Sequence, residues 1–214
     1  MWLRRFTRLR CRAATLTIPA LLVVLAACSS GSPPAPGGQV DGTAVGSELP
    51  PAALTMFEQA AASMAGGDYV EAELRFKELL LQHPGLPAAH TNLAIIHNNN
   101  GNDSAARAEI DAALAADPEF APALNQSGVL FRKNGNFEAA EAAYMKAVTV
   151  SPGYALAHYN LGVLNELYLQ RFDIALQHYE QYQDLAGSDE QVDRWIADLR
   201  RRVASNQSSA NVAE

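Results

Sequence analysis

The pattern of apolar and polar positions changes twice along the chain. Residues 13–27, AATLTIPALLVVLAA, are a nearly unbroken apolar run behind five arginines, Arg4, Arg5, Arg8, Arg10 and Arg12. Residues 29–51, SSGSPPAPGGQVDGTAVGSELPP, show no period. From Ala53 onward apolar residues recur at helical spacing, and that pattern itself repeats. Gly67, Gly101 and Gly135 lie 34 residues apart. Five residues after each comes a small side chain (Ala72, Ala106, Ala140), and nine after it a large apolar one (Phe76, Ile110, Tyr144). Seventeen after it comes Pro84, Pro118 or Pro152.

Each landmark has a physical reading. The glycine permits a positive-φ turn between two helices. The small residue on the second helix lets the first approach closely, and Ala60, Ala94, Gly128 and Gly162 do the same from the first helix. The proline ends the second helix because it cannot continue it. Helix pairs are therefore predicted over 53–86, 87–120, 121–154 and 155–187. The fourth departs from the pattern: Leu167-Tyr168-Leu169-Gln170-Arg171 replaces the glycine turn and adds one residue, and Gly187 stands where proline is expected. Over 188–203, Ser188 with Gln191 predicts a capping box. Val192, Trp195, Ile196 and Leu199 then form one apolar stripe. Residues 204–214 are expected to be a disordered tail.

A 34-residue period with these landmarks resembles the tetratricopeptide repeat. The resemblance covers about residues 53–187. It implies an all-α fold: a right-handed superhelical array of about four helix pairs closed by a C-terminal capping helix. The Trp195 stripe has a second reading, as a surface for a partner or an anionic lipid.

The N-terminus reads as an address. Fifteen apolar residues interrupted by Pro19 are too few for a membrane span, which needs about 20. A basic flank followed by such a run predicts a signal peptide over 1–27. Leu25-Ala26-Ala27-Cys28 resembles the lipobox of bacterial lipoproteins. That resemblance implies cleavage before Cys28, diacylation of its thiol and acylation of the new amine. Ser29 follows, not the aspartate that often retains such proteins in the inner membrane, so the resemblance implies the periplasmic face of the outer membrane. Residues 28–52 then form the lipidated cysteine and a disordered linker.

Composition narrows the function. Abundant alanine and only 7% aromatic residues suit closely packed helices. Once residues 1–27 are removed, eleven basic residues face 23 acidic ones, which disfavours nucleic acid. The mature chain keeps no cysteine besides Cys28. His90 and His97 share one helix face, but a metal site needs three or four ligands, so packing is the expected role of the histidines and no metal or cofactor is predicted. There is no G-x-S-x-G elbow and no phosphate-binding glycine loop. Paired acids such as Glu71 and Glu73 read as solvated helix faces. The chain is not expected to be an enzyme.

In the resembling family the concave wall is lined by the first helix of each pair. Carried over by position, a partner-binding groove would comprise Phe57 and Met64 from repeat one, and Thr91, Ile95 and Asn98 from repeat two. Asn125, Val129 and Arg132 come from repeat three, and Tyr159, Val163 and Glu166 from repeat four; Ala61, Asn99 and Lys133 lie beside them. Such a groove takes an extended peptide or a helix. Some of these positions, Ile95 and Val129 in particular, also read as inter-repeat core. The carboxylate-clamp variant of the family is excluded, since its positions hold Phe57, Ala61, Asn92, Pro122 and Gln126, of which only Asn92 matches. The expectation is an outer-membrane-anchored scaffold for protein partners, accessory to a pilus, secretion or transport machine. The alternatives are an adaptor for peptidoglycan hydrolases or proteases, and an envelope protein that self-associates as a homodimer.

Overall fold

A computed structural model of the chain describes residues 49–212. The expected signal segment, Cys28 and the linker through residue 48 lie outside the described residues. Within them the chain is all helix. Four pairs follow one another: α1 (Pro51–Ala65) with α2 (Tyr69–Gln82), α3 (Pro87–Asn99) with α4 (Asp103–Ala116), α5 (Ala121–Lys133) with α6 (Phe137–Val150), and α7 (Ala155–Leu167) with α8 (Phe172–Ala186). Helix α9 (Glu190–Val212) closes the array. Each first helix packs on its own second helix, each second helix on the next first helix, and α3, α5 and α7 line up side by side. The first helix opens at Pro51, so Pro51 and Ala52 belong to the fold and not to the linker. Proline at a first helical position loses no hydrogen bond.

A glycine–Asx doublet builds each of the first three corners. Gly67, Gly101 and Gly135 sit at φ 83°, 75° and 76°. Asp68 N–H donates to the Ser63 carbonyl, Asn102 N–H to His97 and Asn136 N–H to Phe131, each at 2.9 Å, closing the first helix with a Schellman turn. The same Asx residue opens the next helix. Its side chain accepts from the backbone of Glu71, Ala105 or Ala139 at 3.0, 3.2 and 3.1 Å. In the fourth pair the corner is wider. Gln170 takes the positive φ, 55°, and Arg171 N–H reaches back to the Asn165 carbonyl at 2.8 Å. No side chain caps α8.

The helix-pair interface matches residue to residue. Ala72, Ala106, Ala140 and Ala175 are fully buried. Across the pair, Phe76 and Ile110 in the first two repeats are accompanied by Ala60 and Ala94, whereas Tyr144 and Tyr179 in the last two stand over glycines. A Cβ added at Gly128 would lie 2.4 Å from Tyr144 Cε1, and one at Gly162 would lie 2.6 Å from Tyr179 Cδ1. In the last two pairs the glycine on the first helix therefore leaves the space that the tyrosine ring occupies.

Helix α9 differs from expectation at both ends. Its start is capped by Asp189, whose carboxylate accepts from Gln191 and Val192 N–H at 2.8 and 3.2 Å. Ser188 instead donates to the Asp193 carboxylate at 3.0 Å. The carboxylate bears charge toward the positive end of the helix dipole, which favours it over the hydroxyl. The helix also continues through Val212, past the point where a disordered tail is expected.

Candidate partner-binding surface

First helices of a stacked array share one wall, and the residues that reach it are set by helical spacing. The open part of that wall lies in its middle and toward α7. Ile95, Asn98 and Asn99 on α3, Val129, Arg132 and Lys133 on α5, and Glu166 and Leu167 on α7 retain solvent contact. It is a short apolar floor with amides and cations along one border. Lys133 already bridges two repeats there: its ammonium donates to the Asn98 carbonyl at 3.2 Å and to the Asn98 amide oxygen at 3.0 Å, and it pairs with Asp103 at 2.5 Å.

The structure separates the expected groove residues into two sets. Ile95, Asn98, Val129, Arg132 and Glu166 remain partly exposed, while Phe57, Met64, Thr91, Asn125, Tyr159 and Val163 are buried. The second set is core, and each member has a visible reason. Phe57 stacks edge-on against Phe76 with centroids 5.5 Å apart, and Met64 packs in the same cluster. The Thr91 hydroxyl donates back to the Pro87 carbonyl at 2.8 Å. Asn125 accepts from the Asn160 amide at 2.9 Å, a buried bond that joins repeats three and four. Tyr159 lies among Tyr182, Trp195 and Tyr179, with centroids 5.3, 6.1 and 6.2 Å away. Val163 belongs to that cluster too, which includes Val192, Ile196 and Leu199 of α9. Helix α9 thus covers the end of the wall that Tyr159 and Val163 would otherwise offer.

Two of the exposed set are also tied inward. The Arg132 guanidinium donates to the Tyr144 hydroxyl at 3.4 Å and lies 5.8 Å from the centre of the Tyr168 ring. Glu166 accepts from the Tyr179 hydroxyl at 3.1 Å. Burial holds its carboxyl above the usual carboxylate range, against the opposing effect of that bond.

Family models described as "Tetratricopeptide repeat" and "TPR repeat" match residues 63–126 and 128–167. The chain belongs to the tetratricopeptide-repeat family. No curated protein matches its sequence. Among solved structures it is similar to Pseudomonas aeruginosa pilF, at 22% identity and a TM-score of 0.64, covering 72% of this chain and 70% of that one. It is similar to MamA from Desulfovibrio magneticus RS-1, at 18% identity and 0.55, covering 76% and 92%. It is also similar to the O-GlcNAc transferase of Thermobaculum terrenum, at 21% and 0.56, covering 62% of this chain but only 26% of that enzyme. These likenesses are to the superhelical fold, which is the fold of a protein-interaction scaffold.

Within this tetratricopeptide array His90 and His158 serve the joints between repeats. His90 and His158 occupy the same repeat position, and each places Nε2 on the carbonyl of the proline six residues back, Pro84 at 2.9 Å and Pro152 at 3.2 Å. The other ring nitrogen of His90 meets Glu109 at 2.6 Å, and that carboxylate raises the imidazole above its usual range. In His158 it meets His178 Nδ1 at 3.2 Å. Burial, with His158 alongside, holds His178 down at about 4. Neither His90 nor His97 joins a cluster of three or more metal-ligating side chains among the described residues. The Asn92 amide, the one residue matching the carboxylate clamp, is buried and donates to the Ala88 carbonyl at 3.0 Å.

Proposed function

We propose that this chain is a lipid-anchored scaffold on the periplasmic face of the outer membrane, holding a protein segment against the middle of its concave wall. The observation that carries the reading is the partly exposed strip of Ile95 and Val129, each at the edge of the core, beside Asn98 and the exposed Asn99. It is apolar enough to seat a side chain and has unburied amides for a peptide backbone. Core packing and helix α9 close the two ends of the wall, so the strip accommodates a short extended segment or one face of a helix. The acidic balance of the mature chain favours a basic or neutral partner.

The anchor rests on the basic flank, the apolar run and the Leu25-Ala26-Ala27-Cys28 sequence, and the outer-membrane address on Ser29. Service to a pilus, secretion or transport machine extends the lipoprotein resemblance, and pilF of Pseudomonas aeruginosa lends it a structural neighbour. The test is photo-crosslinking in cells from Asn99 on the wall, with the exposed Asp111 of α4 as control, and mass spectrometry of what is captured. A machine component captured from Asn99 and not from Asp111 supports the reading. Capture of murein hydrolases or a protease moves the function to an adaptor. Equal capture from both positions refutes the groove.

A further inference from the structure

The outer face of α2 departs from the other three second helices. Val70, Leu74 and Leu81 are 73%, 60% and 86% exposed, and with Lys77 they fall on one stripe at spacings of four, three and four. The matching positions of repeat two hold only small or acidic residues, Ser104, Ala108, Asp111 and Ala115. Those of repeat four hold Asp173, Gln177, Glu180 and Asp184, and in repeat three Met145 is the single large apolar residue. This face of a helical array meets only water, so three large aliphatic side chains on one stripe are uncovered apolar surface. The cations beside it are answered within the helix, Lys77 by Glu73 at 2.5 Å and Arg75 by Glu71 at 2.7 Å, which leaves the exposed Glu78 as one carboxylate in excess at the stripe's border.

We propose that the α2 stripe seats on the lipid surface to which the chain is tethered. The proposal rests on the anchor at Cys28. Residues 29–49 separate that cysteine from the start of the fold. Even fully extended, a chain of this length reaches only about 75 Å, and it enters the fold at repeat one, which is therefore the first folded unit on the tether. Such a tether raises the local concentration of its cargo to roughly the millimolar range. A contact with a dissociation constant of about 1 mM is then half occupied, and a few aliphatic side chains entering the headgroup boundary meet that need. A second copy free in solution has no such help. A stable dimer buries about 800 Å² on each partner, more than a stripe of three aliphatic residues supplies. Seating α2 has a consequence for the scaffold: the outer face of repeat one meets the membrane, while the first helices, on the other side of their pairs, stay open to a partner.

The test uses the full-length lipoprotein purified from cells and reconstituted into vesicles of phosphatidylethanolamine and phosphatidylglycerol, with and without brominated acyl chains. Leu81→Trp places a reporter on the stripe, Gln177→Trp places one on the matching face of repeat four, and the parent supplies the Trp195 background. Both positions are exposed, so neither change threatens the fold. The expected result is that bromine removes about half of the added Leu81→Trp emission and leaves Gln177→Trp unchanged. Flotation of the parent and of Cys28→Ser reads the anchor separately. A parent that floats while Leu81→Trp is unquenched overturns the stripe and spares the anchor. A parent that does not float overturns both. Leu81→Trp shifted to the blue without bromine quenching, together with a doubled mass, assigns the stripe to a second copy and overturns the lipid surface.

Discussion

Gly128→Ala tests the glycine–tyrosine helix-pair interface directly. The new Cβ would lie 2.4 Å from Tyr144 Cε1, 2.5 Å from Cδ1 and 2.9 Å from Cζ. Carbon atoms rest about 3.5–4.0 Å apart, so the ring must retreat by about 1 Å. It has nowhere to go: Tyr144 is fully buried and its hydroxyl is held by Arg132. Overpacking of this kind costs about 1–3 kcal/mol, and contact with three ring carbons at once places it in the upper half of that range. Replacing glycine by alanine inside a helix returns about 1 kcal/mol. The net loss is about 1–2 kcal/mol, or about 3–6 °C in melting temperature for a chain of this size. The assay is thermal and denaturant unfolding followed by far-ultraviolet circular dichroism. Repeat two holds its own control, since Ala94 and Ile110 occupy the same two positions. Transplanting that pair as Gly128→Ala with Tyr144→Ile should therefore be less destabilising than the sum of the single changes, by at least about 1 kcal/mol. A Gly128→Ala protein that melts at or above the parent temperature, or a cycle without coupling, would refute the reasoning.

Other outcomes follow from the same geometry. Ala140→Leu puts a branched side chain into a fully buried joint and should lower stability by about 1–3 kcal/mol in the same assay. Gln170→Gly removes a positive-φ side chain from an exposed corner; relief of about 1–2 kcal/mol against a glycine entropy cost of about 0.5–1 should raise the melting temperature slightly, and a fall would show that Gln170 is not strained. His178 stays neutral in the fold down to about 4, while the unfolded chain takes up its proton near 6.5. The unfolded state is therefore favoured as pH falls below 6.5, by about 2 kcal/mol at pH 5, and His178→Gln should flatten that part of the stability profile. The raised imidazole of His90 acts oppositely, stabilising most below 6.5 and losing that contribution as pH climbs through its folded value. Cys28→Ser should move the protein out of the membrane fraction, and mature protein that stays in the pellet would count against the anchor.

The buried half of the groove illustrates what position alone misses. Tyr159 and Val163 occupy wall positions by register, but α9 arrives from beyond the repeats and takes that end of the wall for its own apolar stripe. Asn125 looks like a ligand-facing amide until Asn160 is placed 2.9 Å away. Partners 35 residues apart in sequence cannot be paired from local spacing. The α2 stripe, by contrast, was open to reading. Comparing the outer positions of the second helices repeat by repeat singles out Val70, Leu74 and Leu81, because the other repeats display what the same place ordinarily holds.

By itself the sequence determined the all-helical class, the 34-residue repeat, the glycine corners and the buried alanines at each helix crossing. These are local or strictly periodic requirements: a positive φ, a missing side chain and a helix stop each act within a few residues of their cause. Tertiary structure decided which wall residues stay open, which ring faces which glycine, and how His90 and His158 fasten the loops between repeats. Those outcomes depend on packing between neighbouring units, where a small residue is free or forbidden according to the side chain brought against it.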